Sequence, residues 1–258
     1  MTNGVPPITI MLVGLTKTGK STSWIQAFGS KALCIATEAH AIAPAFDPEL
    51  NPLRDARGTP ITEKHAAPPK VVYCMSTTNP ADEVLRAIRE QVVPGVAKGE
   101  IGAVILDTVT TLADREFAWI KQTMKAWDSY GRGSKRLYDR IQTLLSELLA
   151  LGVVVVGVAH ESEPSSFTDN ATGKSTFRPG GPKLPGDLVK SSPSLFGTIL
   201  RCTVRADDDG NPRRVFVCNP LDTQWVTGDS WNVVGAVEPM DLRSVATRIW
   251  KKARELHA

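Results

Sequence analysis

The sequence predicts an α/β fold: a mostly parallel sheet with helices on both faces and a β-hairpin extension toward the C-terminus. Three observations carry this expectation. Short apolar runs such as Ile8 to Val13, Ala103 to Leu106 and Val153 to Val158 show no polar alternation, as strands buried on both faces do. Helical patterns stand between these runs. A Gly-rich turn joins the first run to the first helix. The 258 residues are ample for a buried core and fit a single domain, residues 1–258, with a core over about 5–205 and an extension over 206–258.

The elements follow in order. Ser21 to Phe28 reads as a helix ended by Gly29. Ala32 to Ala36 is a second strand. Residues 41–69, with six prolines from Pro44 to Pro69, read as an irregular surface excursion. Val71 to Cys74 is a third strand. Asn79 is expected to cap a helix with Pro80 in its first turn, Asp82 and Glu83 favouring the start, and Val84, Leu85, Ile88 and Val92 as its apolar stripe. A fourth strand, Ala103 to Leu106, ends at Asp107. Residues 125–136 form a polar, basic stretch, and Leu137, Ile141, Leu144, Leu145, Leu148 and Leu149 then fall at helical spacing. Residues 161–187, rich in Gly, Ser, Pro and charge, are expected to form a long mobile loop after the fifth strand. Thr198 to Val204 and Arg214 to Cys218 form a hairpin around Asp208-Asp-Gly-Asn211, and Leu242 to Leu256 is a last amphipathic helix.

Composition narrows the function classes. Net charge is +3 with a sequence pI near 8.7, too mild to imply nucleic-acid binding by itself. Cys34, Cys74, Cys202 and Cys218 include no C-x-x-C pair and read as reduced core thiols. The start, MTNGVPPITIMLVG, lacks the features of a signal peptide, and no apolar stretch approaches the ~20 residues that span a bilayer. A cytoplasmic protein is expected.

The chemistry centres on Gly14-Leu-Thr-Lys-Thr-Gly19-Lys20-Ser21, a full match to the P-loop pattern G-x-x-x-x-G-K-[ST]. Glycines let successive backbone N–H groups face phosphate oxygens, and the following helix adds positive potential. Gly14, Thr16, Lys17, Thr18, Gly19, Lys20, Ser21 and Thr22 are therefore the candidate ATP-binding residues. Lys20 is expected on the β- and γ-phosphates and Ser21 on Mg²⁺. Asp107, at the end of an apolar strand, is the expected second metal-holding residue, acting through water, with Thr108, Thr110 and Thr111 in reach. Glu38, after the second strand, is the first candidate to orient an attacking water, and Glu161 the second. His160 reads equally as a sensor of the γ-phosphate and as a satisfied histidine at a sheet end. His160-Glu-Ser-Glu-Pro is no zinc motif, and the nearby serines lack a G-x-S-x-G elbow.

The order of these parts resembles RecA-like ATPases, especially the short single-domain phage members linked to recombination and single-strand annealing. Four stretches carry the resemblance: the P-loop; Cys34-Ile-Ala-Thr-Glu38-Ala-His40-Ala; Val71-Val-Tyr-Cys through Asp107-Thr-Val-Thr; and Val153 to His160 followed by Gly181-Pro-Lys-Leu-Pro-Gly186 and Leu195-Phe196. It covers about residues 5–205. The resemblance implies a RecA-like P-loop core with Glu38 as the catalytic glutamate. It also implies a ring or filament of identical chains, and two loops facing single-stranded DNA.

Those loops fall near Lys125 to Arg136, with Arg132, Lys135, Trp127 and Tyr130, and near Ser162 to Lys190, with Lys174, Arg178, Lys183, Phe167 and Phe177. Two departures stand out. Trp225-Val-Thr-Gly-Asp229-Ser230 lacks the Lys-x-Asp-Arg-like signature of many relatives, and Gly197 stands where they often carry Asp. The expected function is an ATP-hydrolysing protein acting on single-stranded DNA, with phage recombination or replication proteins as further partners. A nucleotide-gated scaffold with little hydrolysis is the alternative. A small-molecule kinase is a weaker third reading, since the 161–187 segment is poor in arginine.

Overall fold

The computed structural model describes residues 8–39, 69–124, 131–168, 175–185, 188–219, 221 and 223–257. Most of the 41–69 excursion, His40, Lys125, Trp127, Tyr130, Lys174 and Gly186 lie outside the described residues, as does the Phe167 side chain.

In chain order the elements are β1 (Ile8–Gly14), α1 (Lys20–Phe28), β2 (Ala32–Ala36), β3 (Lys70–Tyr73), α2 (Pro80–Ala87), α3 (Val93–Ala97), β4 (Ala103–Asp107), α4 (Val109–Thr123) and α5 (Gly131–Ala150). They continue with β5 (Val154–Ser162), β6 (Ser165–Thr168), β7 (Ser175–Arg178), β8 (Gly181–Pro182), α6 (Leu188–Leu195), β9 (Thr198–Ala206), β10 (Pro212–Val217), β11 (Gly228–Asp229), β12 (Val237–Pro239) and α7 (Leu242–His257).

The main sheet has the order β12-β10-β9-β1-β5-β4-β2-β3. The strands from β9 to β3 are parallel, and β10 and β12 add an antiparallel edge. The expected mostly parallel α/β sheet is thus present. So is the late hairpin, closed by Asp207 N–H donating to Asn211 O at 2.9 Å.

Strand alternation sorts the core into two layers. Met11, Val13, Leu33, Ile35, Val104 and Leu106 face α2, α4, α5 and α6. Ile10, Leu12, Cys34, Ala36, Ile105 and Val156 face α1 and α7, where Trp24 and Ile249 are fully buried. Each such large side chain contributes roughly 1.5–3 kcal/mol by leaving water. All four cysteines are buried and free, as their apolar settings predict.

Several expectations need correction. Residues 161–187 are not one long loop: β5 runs on to Ser162, β6 and β7 form a hairpin, and β8 pairs back on β5. The pairing of Gly14 with His160 and of Glu161 with Pro182 holds the chain extended beyond the apolar run. Residues 131–136 are not loop but the first turns of α5. Asn79 does not cap α2 with its side chain. That side chain is taken up instead by Arg140, whose Nη2 donates to Asn79 Oδ1 at 2.5 Å, and by Asp82. Arg140 also pairs with the fully buried Glu116, which accepts the Ala81 N–H at 2.8 Å. This network ties α2, α4 and α5 together.

Helix α4 was not expected. Its first residues, Val109-Thr-Thr, are β-branched and weak helix formers. Thr108 caps it, accepting the Thr111 N–H at 3.1 Å, and Leu112, Ala113, Glu116, Phe117 and Ile120 at helical spacing face the core. That spacing was readable. Helix α6, which contains Pro193, had no such clear signal.

Candidate nucleotide site

The strand order sets the site. β1 and β4 are separated by β5, so the C-terminal ends of β1, β5, β4 and β2 lie side by side. These ends deliver Gly14, His160, Asp107 and the segment leading to Glu38.

After β1 the chain turns through Lys17 at φ 68° and Gly19 at φ 100° before entering α1. The second value suits glycine, because an L side chain there meets its own backbone. Gly14 is demanded by space: a Cβ there would lie 2.5 Å from the Cys202 carbonyl oxygen of β9. The amide N–H groups of Thr16, Lys17 and Gly19 make no hydrogen bond among the described residues. Lys20 is buried, and its ammonium donates to Gly14 O at 2.7 Å and Leu15 O at 2.8 Å. Burial lowers its pKa, while the carboxylates of Asp107, Glu161 and Glu38 oppose that shift.

Ser21 Oγ donates to Asp107 Oδ2 at 3.3 Å. Asp107 is almost fully buried, and burial, helped by the nearby Glu38 charge, pushes its carboxyl up to about 6. The buried Trp24 indole faces it in imperfect hydrogen-bond geometry, leaving Nε1 without a full partner. The Asp107–Thr108 peptide is cis.

Glu38 is fixed by its neighbours. Thr37 N–H donates to Asp107 O at 2.8 Å, and the Thr37 hydroxyl both donates to Thr108 O and accepts the Thr108 N–H. This stitching sets Glu38 beside α4. Its Oε1 accepts Thr111 Oγ1 at 2.5 Å and Thr108 Oγ1 at 3.0 Å, and lies 3.0 Å from His160 Nε2. Burial pushes the Glu38 carboxyl up, but these donors outweigh it and hold it below the usual carboxylate range. Glu38 therefore stays ionised to lower pH than Asp107. The His160 backbone N–H in turn donates to Thr110 Oγ1 at 2.9 Å.

Glu161 is differently placed. It is buried and gripped by Arg201, which donates from Nε at 3.1 Å and Nη2 at 2.9 Å. The Arg201 guanidinium lies 3.3 Å from the centre of the Trp225 ring. Trp225 packs against Gly180, at the base of the β6–β7 hairpin. Sequence reasoning missed this brace, because it joins β5, β9 and a late loop that only the sheet order brings together.

The residues present fit a magnesium–nucleotide. Free N–H groups precede a helix N-terminus, a buried lysine lines the turn, and a hydroxyl and a carboxylate meet at one point. No group of three or more His, Cys, Asp or Glu side chains able to hold a metal lies among the described residues. A cation here would thus share Ser21 and Asp107 with phosphate oxygens rather than occupy a protein-only cage. Among the described residues no helix is long and apolar enough to cross a membrane.

The chain resembles the crystal structure of the RadB recombinase (TM-score 0.46, 15% identity, covering 83% of this chain and 80% of that one). It also resembles a KaiC-like protein from the hyperthermophilic archaeon Pyrococcus horikoshii OT3 (TM-score 0.42, 13% identity, covering 84% and 86%). No curated protein matches it by sequence. The AAA domain family matches residues 6–229, nearly the whole described sheet, and the chain belongs to this family of P-loop ATPases.

Proposed function

We propose that this chain binds ATP with Mg²⁺ and hydrolyses it while acting on single-stranded DNA, in the manner of the short phage RecA-like ATPases. The observation that carries the reading is the setting of Glu38. An ionised carboxylate, held by two threonines and a histidine, stands at the strand ends beyond Asp107 from the P-loop, within reach of His160 on β5. That is the chemistry a water-orienting base needs.

In this reading Lys20 neutralises the β- and γ-phosphates, and the loop amides from Gly14 to Thr22 bind the phosphate chain. Ser21 and Asp107 would hold Mg²⁺, which when bound screens phosphate charge. Glu38 accepts a proton from the attacking water, and His160 relays the state of that carboxylate to β5. Glu161 is committed to Arg201 and is the poorer candidate for the base. The Arg201–Trp225–Gly180 brace runs from the phosphate site to the hairpin that carries the exposed Phe177 and Arg178. Exposed aromatic and basic groups suit stacking on single-stranded bases. Arg132, Lys135 and Arg136 on the exposed side of α5 offer a second basic surface. A ring or filament of identical chains is the expected assembly.

The test is ATP turnover by the purified chain with and without a single-stranded oligonucleotide. Stimulation by DNA, lost in Lys20→Ala, supports the reading. ATP binding with no turnover and no response to DNA favours instead a nucleotide-gated scaffold, in keeping with the absent Lys-x-Asp-Arg-like signature.

A further inference from the structure

Arg214 is placed by strand geometry at a point that no motif marks. β9 runs parallel to β1, with Val13 opposite Arg201. β10 returns antiparallel, with Phe216 opposite Cys202 and Arg214 opposite Val204. The start of β10 therefore stands level with the P-loop. Strand alternation puts Arg214 on the same sheet face as Phe216 and Cys218, the face covered by α1 and α7. The side chain accordingly lies over the turn into α1: a Cβ built on Gly19 would be 2.9 Å from Arg214 Cδ and 3.3 Å from Nε, with Met240 Sδ at 3.2 Å.

The guanidinium is exposed and has no acidic or hydrogen-bond partner among the described residues. Four nearby arginines are engaged: Arg201 with Glu161, Arg213 with Asp207, Arg248 with Glu238, and Arg243 with the last carbonyls of α1. The charge balance of the site shows what a free cation there can do. Lys20 is acted on by Asp107, Glu161 and Glu38; among the described residues Glu161 is paired with Arg201 and Glu38 lies against His160, while Asp107 has no arginine or histidine partner. A polyanionic nucleotide entering beside two further carboxylates needs more positive charge than Lys20 and one metal ion supply.

We propose that Arg214 is a nucleotide-binding residue of the same chain, its guanidinium contacting the phosphate chain of the nucleotide held by the P-loop. The contact adds to the positive N-terminus of α1, directly beneath it. It acts on ground state and transition state alike, so it strengthens binding rather than speeding chemistry. The inference rests on the P-loop being an ATP site.

The experiment measures the Kd for Mg–ADP and Mg–ATP by calorimetry on the full chain, for wild type, Arg214→Ala, Arg214→Lys and Lys20→Ala. Arg214→Ala should weaken both nucleotides about tenfold, the size of one charge-assisted hydrogen bond in water. Arg214→Lys should stay within about threefold of wild type, because the charge is kept. The thermal midpoint without nucleotide should not move in either variant, since the side chain is exposed. Unchanged affinity in Arg214→Ala, with binding lost in Lys20→Ala, overturns this inference alone. A lysine variant as weak as the alanine one also overturns it, pointing to planar stacking instead of charge. Failure of the wild type to bind either nucleotide overturns the P-loop reading itself.

Discussion

Replacing Asp107 with Asn should stabilise the metal-free protein while removing one of its proposed metal-holding groups. Asp107 is 3% exposed, and burial together with Glu38 lifts its carboxyl from 3.8 to about 6. The folded state thus holds this proton more tightly than the unfolded chain. Between pH 3.8 and about 6 the fold binds more protons than the unfolded state, so stability falls as pH rises through that window. Above pH 6 the full penalty applies, and at 1.36 kcal/mol per unit it amounts to roughly 3 kcal/mol. Asn keeps an oxygen to accept from Ser21 and carries no charge to desolvate. In urea melts with a chelator present, Asp107→Asn should exceed wild type by about 2–3 kcal/mol at pH 7.5 and by little at pH 4. An asparagine variant no more stable at pH 7.5, or equally stabilised at both pH values, refutes the electrostatic account of the site.

Further outcomes follow from the packing. Gly14→Ala drives a Cβ into the Cys202 carbonyl and should destabilise by about 1–3 kcal/mol in denaturant melts, with weakened nucleotide binding, because backbone rather than a flexible side chain must shift. Glu116→Ala leaves Arg140 and the Ala81 N–H short of a partner under 0% exposure, and should lower stability by about 2–3 kcal/mol without changing nucleotide affinity at a permissive temperature. Arg201→Ala strands Glu161 and frees Trp225. It should reduce any DNA stimulation of turnover more than it reduces unstimulated turnover, read as the ratio of rates with and without single-stranded DNA.

What was legible in the sequence was what the chain carries locally. The doubly buried strands announced themselves because both faces need apolar residues, and Ile8–Gly14, Ala32–Ala36 and Ala103–Asp107 fall where the runs lie. Lys20 and Ser21 follow from one contiguous motif, and Asp107 from a strand end. Glu38 was named from its position after β2, but the donors that ionise it come from α4 and β5, more than 69 residues away. The β6–β7 hairpin was hidden by Gly, Ser and Pro, which read as loop. Asn79 looked like a cap because its spacing to Pro80 is right, yet a distant arginine claims its side chain. Arg214 and the Arg201–Glu161–Trp225 brace depend on strand order and register, which single-sequence patterns do not encode.

The central claim, that this P-loop site turns over ATP with Glu38 orienting the water, is tested most directly by Glu38→Gln. Mg–ATP affinity and hydrolysis rate are measured side by side with wild type. The account predicts affinity within a few-fold of wild type and turnover reduced by about 10² or more, since the amide keeps the shape but cannot accept the proton. Turnover close to wild type, with Mg–ATP bound, would contradict it and leave Glu38 as a hydrogen-bonded strand-end carboxylate.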